Sequence, residues 1–186
     1  MIKPELSHVR FTFSPMDPAS ARAIATWRYD PPYELYNVAP ERIEQEVRAL
    51  LDPQNAYYAM VDDRGSLVAD CCFGRDAQVP GGDYTSDALD IGLGVRPDQT
   101  GQGRGHTYVD AVLEFARRTY APAAFRVTVA AFNRRALRVW ERAGFRPVQE
   151  FARTPDGLPF VVLSCAPSPS APSQGEGWGE GGRIMT

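Results

Sequence analysis

The sequence predicts an α/β fold: a mixed, mostly antiparallel central sheet flanked by helices. Three observations predict it. Short apolar or alternating segments separated by Gly, Pro and Asp read as strands. Four longer stretches carry apolar residues at helical spacing. One unit runs strand, glycine-rich turn, helix, strand, which requires a crossover and hence one parallel pair. The chain has 186 residues, enough for one domain with one substantial core.

The elements follow in order. Residues 9–14 (VRFTFS) alternate as a first strand. Asp17 can cap a helix over Ala19–Trp27. The segment YDPPYELYN (29–37) is a proline-interrupted aromatic loop. Pro40 opens a second helix, in which Ile43, Val47, Leu50 and Leu51 share one face. Strands 56–62 and 66–74 form a hairpin around Asp63-Arg64-Gly65. A Gly/Pro-containing loop, 75–87, precedes the strand 88–97, and a helix follows over 104–119 with Tyr108, Val112 and Phe115 inward. Residues 125–132 are the next strand. Asn133 caps a helix that Gly144 ends, and 145–151 with 158–165 form a last hairpin. From Ala166 the chain is rich in Pro, Ser and Gly and poor in aliphatic residues. The expectation is a domain over 1–165 and a disordered tail over 166–186.

Composition narrows the function. A net charge of −3 argues against a nucleic-acid surface. No apolar run reaches the ~20 residues of a membrane helix, and the start lacks a secretory pattern. Adjacent Cys71 and Cys72 point to opposite faces of a strand and do not bridge. These features predict a cytoplasmic protein without a membrane or nucleic-acid partner. Two histidines and no CxxC spacing predict no metal site.

The segment Ala88 to Gly105 is the most informative. Gly101, Gly103 and Gly105 fall where a helix begins. Amides there lack intrahelical acceptors, the helix dipole adds positive charge, and glycine leaves room for a phosphate. A P-loop would continue Gly-Lys-Ser/Thr, whereas His106 follows Gly105. A dinucleotide fingerprint needs its third glycine one residue later, and no GxSxG elbow exists. On the preceding strand, Leu89, Ile91, Leu93 and Val95 face one way; Asp90, Gly92 and Gly94 face the other. Glycines within a strand mark a bulge or a close ligand, or simply tight sheet packing.

Adding Asn133, Ala136 and the Gly144-Phe145 pair on the next strand–helix–strand unit, the chain resembles the GNAT superfamily of acyl-CoA N-acyltransferases over residues 9–165. The resemblance implies a GNAT-like sheet with acetyl-CoA as acyl donor. It places the diphosphate on the turn Gly101-Gln102-Gly103-Arg104-Gly105-His106. It has the pantetheine arm pair with the backbone around Leu93 and Val95, makes the Val95 amide an oxyanion donor, and brings Asn133, Arg96 and Arg135 to the cofactor. Arg134 and Arg138 also lie near the expected phosphate region, although exposed helix arginines are usually just solvated. Asp90 is either the base that deprotonates the incoming ammonium or an aspartate in a structural network. Tyr33, Glu34 and Tyr36 of the first loop, facing Tyr84, Asp76 and Asp83 of loop 75–87, either line an acceptor pocket or are ordinary surface residues. Two departures stand out. Thr100 replaces the family's Gln/Arg at the turn. Trp140 stands where many members carry the tyrosine that protonates the departing thiolate, and Tyr36 and Tyr84 are alternative sources of that proton.

The implied activity is direct transfer of acetyl from acetyl-CoA to a primary amine, on a small molecule or a peptide, without a covalent enzyme adduct. A non-catalytic acyl-CoA-binding sensor and a binder of another phosphorylated ligand are the alternatives. The final hairpin offers a homodimer surface.

Overall fold

The computed structural model describes residues 10–166. The expected tail lies outside the described residues beyond Ala166, as does Val9 of the expected first strand.

Among the described residues seven strands form one sheet: β1 (Thr12–Pro15), β2 (Tyr58–Val61), β3 (Leu67–Phe73), β4 (Leu89–Val95), β5 (Phe125–Ala130), β6 (Arg146–Ala152) and β7 (Pro159–Cys165). The spatial order is β1-β2-β3-β4-β5-β7-β6. Every neighbouring pair is antiparallel except β4 and β5. The helices are α1 (Pro18–Ala25), α2 (Ile43–Leu51), α3 (Gly105–Tyr120) and α4 (Arg134–Arg142). The mixed, mostly antiparallel sheet flanked by helices is thus the predicted one.

The punctuation works as read. Asp17 Oδ1 accepts from the Ala19 and Ser20 amides at 2.9 and 3.0 Å, opening α1. Asn133 Oδ1 accepts from the Ala136 amide at 3.1 Å, opening α4, and Gly144 beyond its end has φ +95°. In the β2–β3 turn Gly65 takes φ +75°, and Asp62 Oδ1 accepts from the Arg64 and Ser66 amides.

Element boundaries shift by up to three residues from expectation, and three of the shifts have a local cause. β1 spans Thr12–Pro15 rather than 9–14; Pro15 is tolerated because β1 is an edge. α1 stops at Ala25 because Thr26 Oγ1 turns back onto the Arg22 and Ala23 carbonyls, which frees Trp27 for the following loop. α2 begins at Ile43, since Pro40–Arg42 form a tighter 3₁₀ turn.

Apolar side chains of β3, β4, β5 and β7 build the main core with α3 and α4; Val112, Phe145 and Leu163 there are fully buried. α1 and α2 pack on each other through Ala21, Ala25, Val47 and Leu50. On β3, Cys71 enters the α3–α4 core, while Asp70 and Cys72 point to the other face, toward α2 and Tyr57. At the far edge, β6 carries Pro147 and a register shift that leaves Val148 62% exposed, features that discourage pairing with another strand.

Candidate active site

The parallel ladder between β4 and β5 is short. Leu89, Asp90 and Ile91 pair with Phe125, Arg126 and Val127, and pairing stops there. β4 continues to Val95 beside β3, while β5 continues to Ala130 beside β7. A wedge therefore opens between them. Strand alternation fixes what faces it. The Leu89 amide donates toward the β5 side, to Ala124, and the Arg96 amide donates toward β3, to Val68. Leu93 and Val95 share the parity of Leu89, so their main-chain groups point into the wedge.

A cleft of about 600 Å³ occupies the wedge. One end is the glycine turn. Gly101 and Gly103 have φ +73° and +74°, the left-handed conformation that glycine adopts freely. Gly105 serves packing: a Cβ there would come within 2.9 Å of Val139 Cγ2, so α3 and α4 start in close contact. No amide from Gly101 to His106 donates to a protein acceptor among the described residues. The turn presents successive free N–H groups at the positive end of a sixteen-residue helix. Gly101, Gln102, Gly103 and Gly105 line the cleft, with Arg135, Arg138 and Arg142 of α4 opposite.

The other end is formed by the loop between α1 and α2 and by two carboxylates. Asn37 fixes the loop through its side-chain bonds to the Tyr29 amide and carbonyl, 2.7 and 3.0 Å. Tyr29 Oη donates to the Val95 carbonyl at 3.0 Å. Tyr36 Oη accepts from Asn133 Nδ2 at 3.0 Å, and the Arg135 guanidinium lies 3.9 Å above the Tyr33 ring. The loop is thereby tied to β4 and to the start of α4.

Asp70, from β3, reaches this end over Gly94, its partner in the antiparallel register. A methyl group on Gly94 would overlap the carboxylate. Gly92 similarly makes room for Cys72 Sγ. The two strand glycines thus accommodate β3 side chains, and the β3–β4 register runs without a bulge. Asp70 is only 8% exposed. Burial, reinforced by the negative charge of Glu46, pushes its pKa up to about 7. Glu46 of α2 also lines the cleft, its own pKa raised by burial and then by Asp76.

The family model for the acetyltransferase (GNAT) family matches residues 21–145. The chain belongs to the GNAT acetyltransferase family. A GNAT-family acetyltransferase from Bacillus anthracis superposes with TM-score 0.64 at 14% identity, covering 84% of this chain and 95% of that one. A putative GNAT-family acetyltransferase from Bordetella pertussis gives 0.63 at 18% identity, over 89% and 98%. Mutant forms of the spermidine/spermine N-acetyltransferase SpeG from Vibrio cholerae give 0.59 at 13%, over 84% and 95%. At these identities the likeness is one of fold. Comparison with curated proteins gives no match.

Within this GNAT cleft the structure gathers many of the residues singled out from the sequence: Leu93, Val95, the turn glycines with Gln102, Asn133 and Arg135, and Tyr33 and Tyr36. Others lie elsewhere. Asp90 is 3% exposed and locked to Arg126, with Nε–Oδ1 2.6 Å and Nη2–Oδ2 2.9 Å, while Gln78 Nε2 donates to it at 2.7 Å. It does not line the cleft, so the expectation that it meets the ammonium is corrected. Tyr84 also turns away. Its hydroxyl engages the Val79 amide and Thr128 Oγ1, and its ring lies under Arg126. Arg96 is held by Asp98 and the Leu67 carbonyl, and Arg104 by the side-chain amides of Gln99 and Gln102. Both line a second, smaller depression of about 440 Å³. The side chains of Glu34 and His106 are exposed and outside the cleft. Asp76 accepts from Tyr57, and Asp83 from Thr85. Trp140 does line the cleft, but it is buried, edge-on against Phe145.

Sequence reasoning missed Asp70 and Glu46. The signal for Asp70 was a lone charge inside the apolar run LVADCCF. Only the β3–β4 register, which sets it over Gly94, gives that charge a direction.

Proposed function

We propose that this protein transfers an acetyl group from acetyl-CoA to a cationic primary amine, with Asp70 as the base that prepares the amine. The observation that carries the reading is the Asp70 carboxyl, lifted to about 7 and aimed into a cleft whose other end is a row of free amides.

The turn amides and the α4 arginines receive the diphosphate, supported by their free N–H groups and guanidinium charge. Main-chain groups of Leu93 and Val95 take the pantetheine arm as an extra half-strand, which the unpaired edge of β4 supports. The Val95 N–H points into the wedge and stabilises the oxyanion. The acceptor enters between the aromatic loop and Asp70. An alkylammonium has a pKa of ~10, so it must lose a proton before its nitrogen can attack. Asp70 and Glu46 attract the cation, and the ionised Asp70 takes the proton. The free amine attacks the thioester carbonyl directly, and the tetrahedral intermediate collapses with loss of the thiolate. The cationic acceptor also accords with the substrate in the name of the Vibrio cholerae neighbour, a spermidine/spermine acetyltransferase.

The test is thiol release from acetyl-CoA with a panel of spermidine, lysine, a peptide with a free N-terminus and an aminoglycoside. Turnover of at least one amine, lowered at least ~10²-fold at pH 7.5 in Asp70→Asn with acetyl-CoA binding intact, is expected. Acetyl-CoA binding without turnover of any amine favours the sensor alternative.

A further inference from the structure

We infer that Tyr36 donates the proton that the departing CoA thiolate takes up; this rests on the acetyl-transfer reading above. Tyr108 of α3 also lines the cleft, but it is buried with its ring on Phe11, and no partner orientates its hydroxyl among the described residues. Four further observations select Tyr36. Trp140, buried against Phe145, has only an indole N–H, which does not ionise in the working range. Tyr84 is held outside the cleft by Val79 and Thr128. Tyr29 directs its hydroxyl proton to the Val95 carbonyl. Tyr33 stacks under Arg135, and no partner holds its hydroxyl among the described residues.

Tyr36 differs from all of these. The Asn133 amide is orientated by helix capping: its Oδ1 accepts from the Ala136 N–H, so the group turned to Tyr36 is the Nδ2 donor. The Tyr36 oxygen must accept that bond, and its own proton is left for an acceptor in the cleft. The hydroxyl sits at the head of α4, where the wedge brings the turn, β4 and the loop together. The residue is 41% exposed, so solvent can restore the proton after each cycle. Partial burial raises the phenol from its ordinary value while the Asn133 bond works against that rise, so the group is protonated at neutral pH. The titratable and charged groups that bear on this end of the cleft are Tyr29 and Tyr33 on the same loop, Glu46 on α2, Asp70 on β3 and Arg135 on α4.

The step balances. On collapse of the tetrahedral intermediate the carbon–sulfur bond breaks and its electron pair goes to sulfur. Sulfur takes the Tyr36 proton and leaves as the thiol. The nitrogen sheds its extra proton through water to the tyrosinate, giving the neutral amide and regenerating Tyr36.

Three variants test this with the best amine of the panel. Tyr36→Phe is expected to lower kcat ~10²-fold while KM for acetyl-CoA changes less than ~3-fold and Tm holds. Asn133→Asp keeps a helix cap but accepts rather than donates, so it draws the phenol proton away; kcat falls again with little change in Tm. A fluorinated tyrosine at position 36, a stronger acid, is expected to move the basic limb of the kcat profile to lower pH, which a packing role would not do. Wild-type turnover with Tyr36→Phe within ~2-fold of it, or an unmoved basic limb, overturns the assignment to Tyr36 alone. A wild type that turns over no amine overturns the acetyl-transfer reading and this inference with it.

Discussion

Two aspartates, Asp70 and Asp90, differ in everything but residue type. Asp90 is neutralised by a bidentate Arg126 and a glutamine, and its oxygens are fully engaged. Asp70 is buried and has a second carboxylate, Glu46, nearby, so its proton is held more tightly than in water. Asp90→Asn should leave Arg126 as an uncompensated buried charge and cost about 3–5 kcal/mol in denaturant unfolding, with no direct effect on proton transfer. Asp70→Asn should do the reverse. The folded protein binds the Asp70 proton up to about pH 7, whereas the unfolded chain releases it near the ordinary value of 3.8. Native Asp70 therefore lowers stability as pH rises between those values. Relative to wild type, the asparagine variant should gain up to about 4 kcal/mol above pH 7 and nothing below pH 4. In the wild type, kcat should fall as pH drops below about 7, and the variant should lose that acidic limb. Asp90 stood out in the sequence because it lies in the strand before the glycine turn. Its partner Arg126 is 36 residues away, across the parallel pair, and nothing local announces it.

At the scale of elements, the parts fixed by local chemistry were legible. Capping at Asp17 and Asn133, the Asp63-Arg64-Gly65 turn and the glycine turn before α3 all act within a few residues, and each stands where the sequence puts it. Features set by neighbours were not legible. Gly92 and Gly94 read as a bulge, a close ligand or tight sheet packing; both line the cleft, and it is Cys72 and Asp70 of β3 that take up the space a side chain there would need. The aromatic loop contributes Tyr33 and Tyr36 to the cleft as expected, and its anchors on Val95, Asn133 and Arg135 emerge only in three dimensions. The turn depends on the contact of two helices. Gly105→Ala would press a methyl onto Val139, part α3 from α4 and splay the amides. Acetyl-CoA affinity should drop ~10-fold with a loss of 1–3 kcal/mol in stability, and adding Val139→Ala should restore much of both, as titration and thermal melts would reveal.

At the scale of the molecule, one departure from regularity organises the rest. A sheet that paired β4 with β5 along their full lengths would have no interior edge. Here pairing ends at Ile91 and Val127, and the gap supplies free main-chain groups on one wall and converging helix starts on the other. The sequence signals such a gap only through the order of elements, which places one parallel pair beside a glycine turn. The central claim is that this wedge and the amides of Gly101 to His106 together hold acetyl-CoA. Isothermal titration with acetyl-CoA tests it most directly. The account predicts one molecule bound per chain, with a rise in Tm that grows with ligand concentration, because the ligand binds only the folded state. No heat of binding and an unmoved Tm at millimolar acetyl-CoA would contradict it.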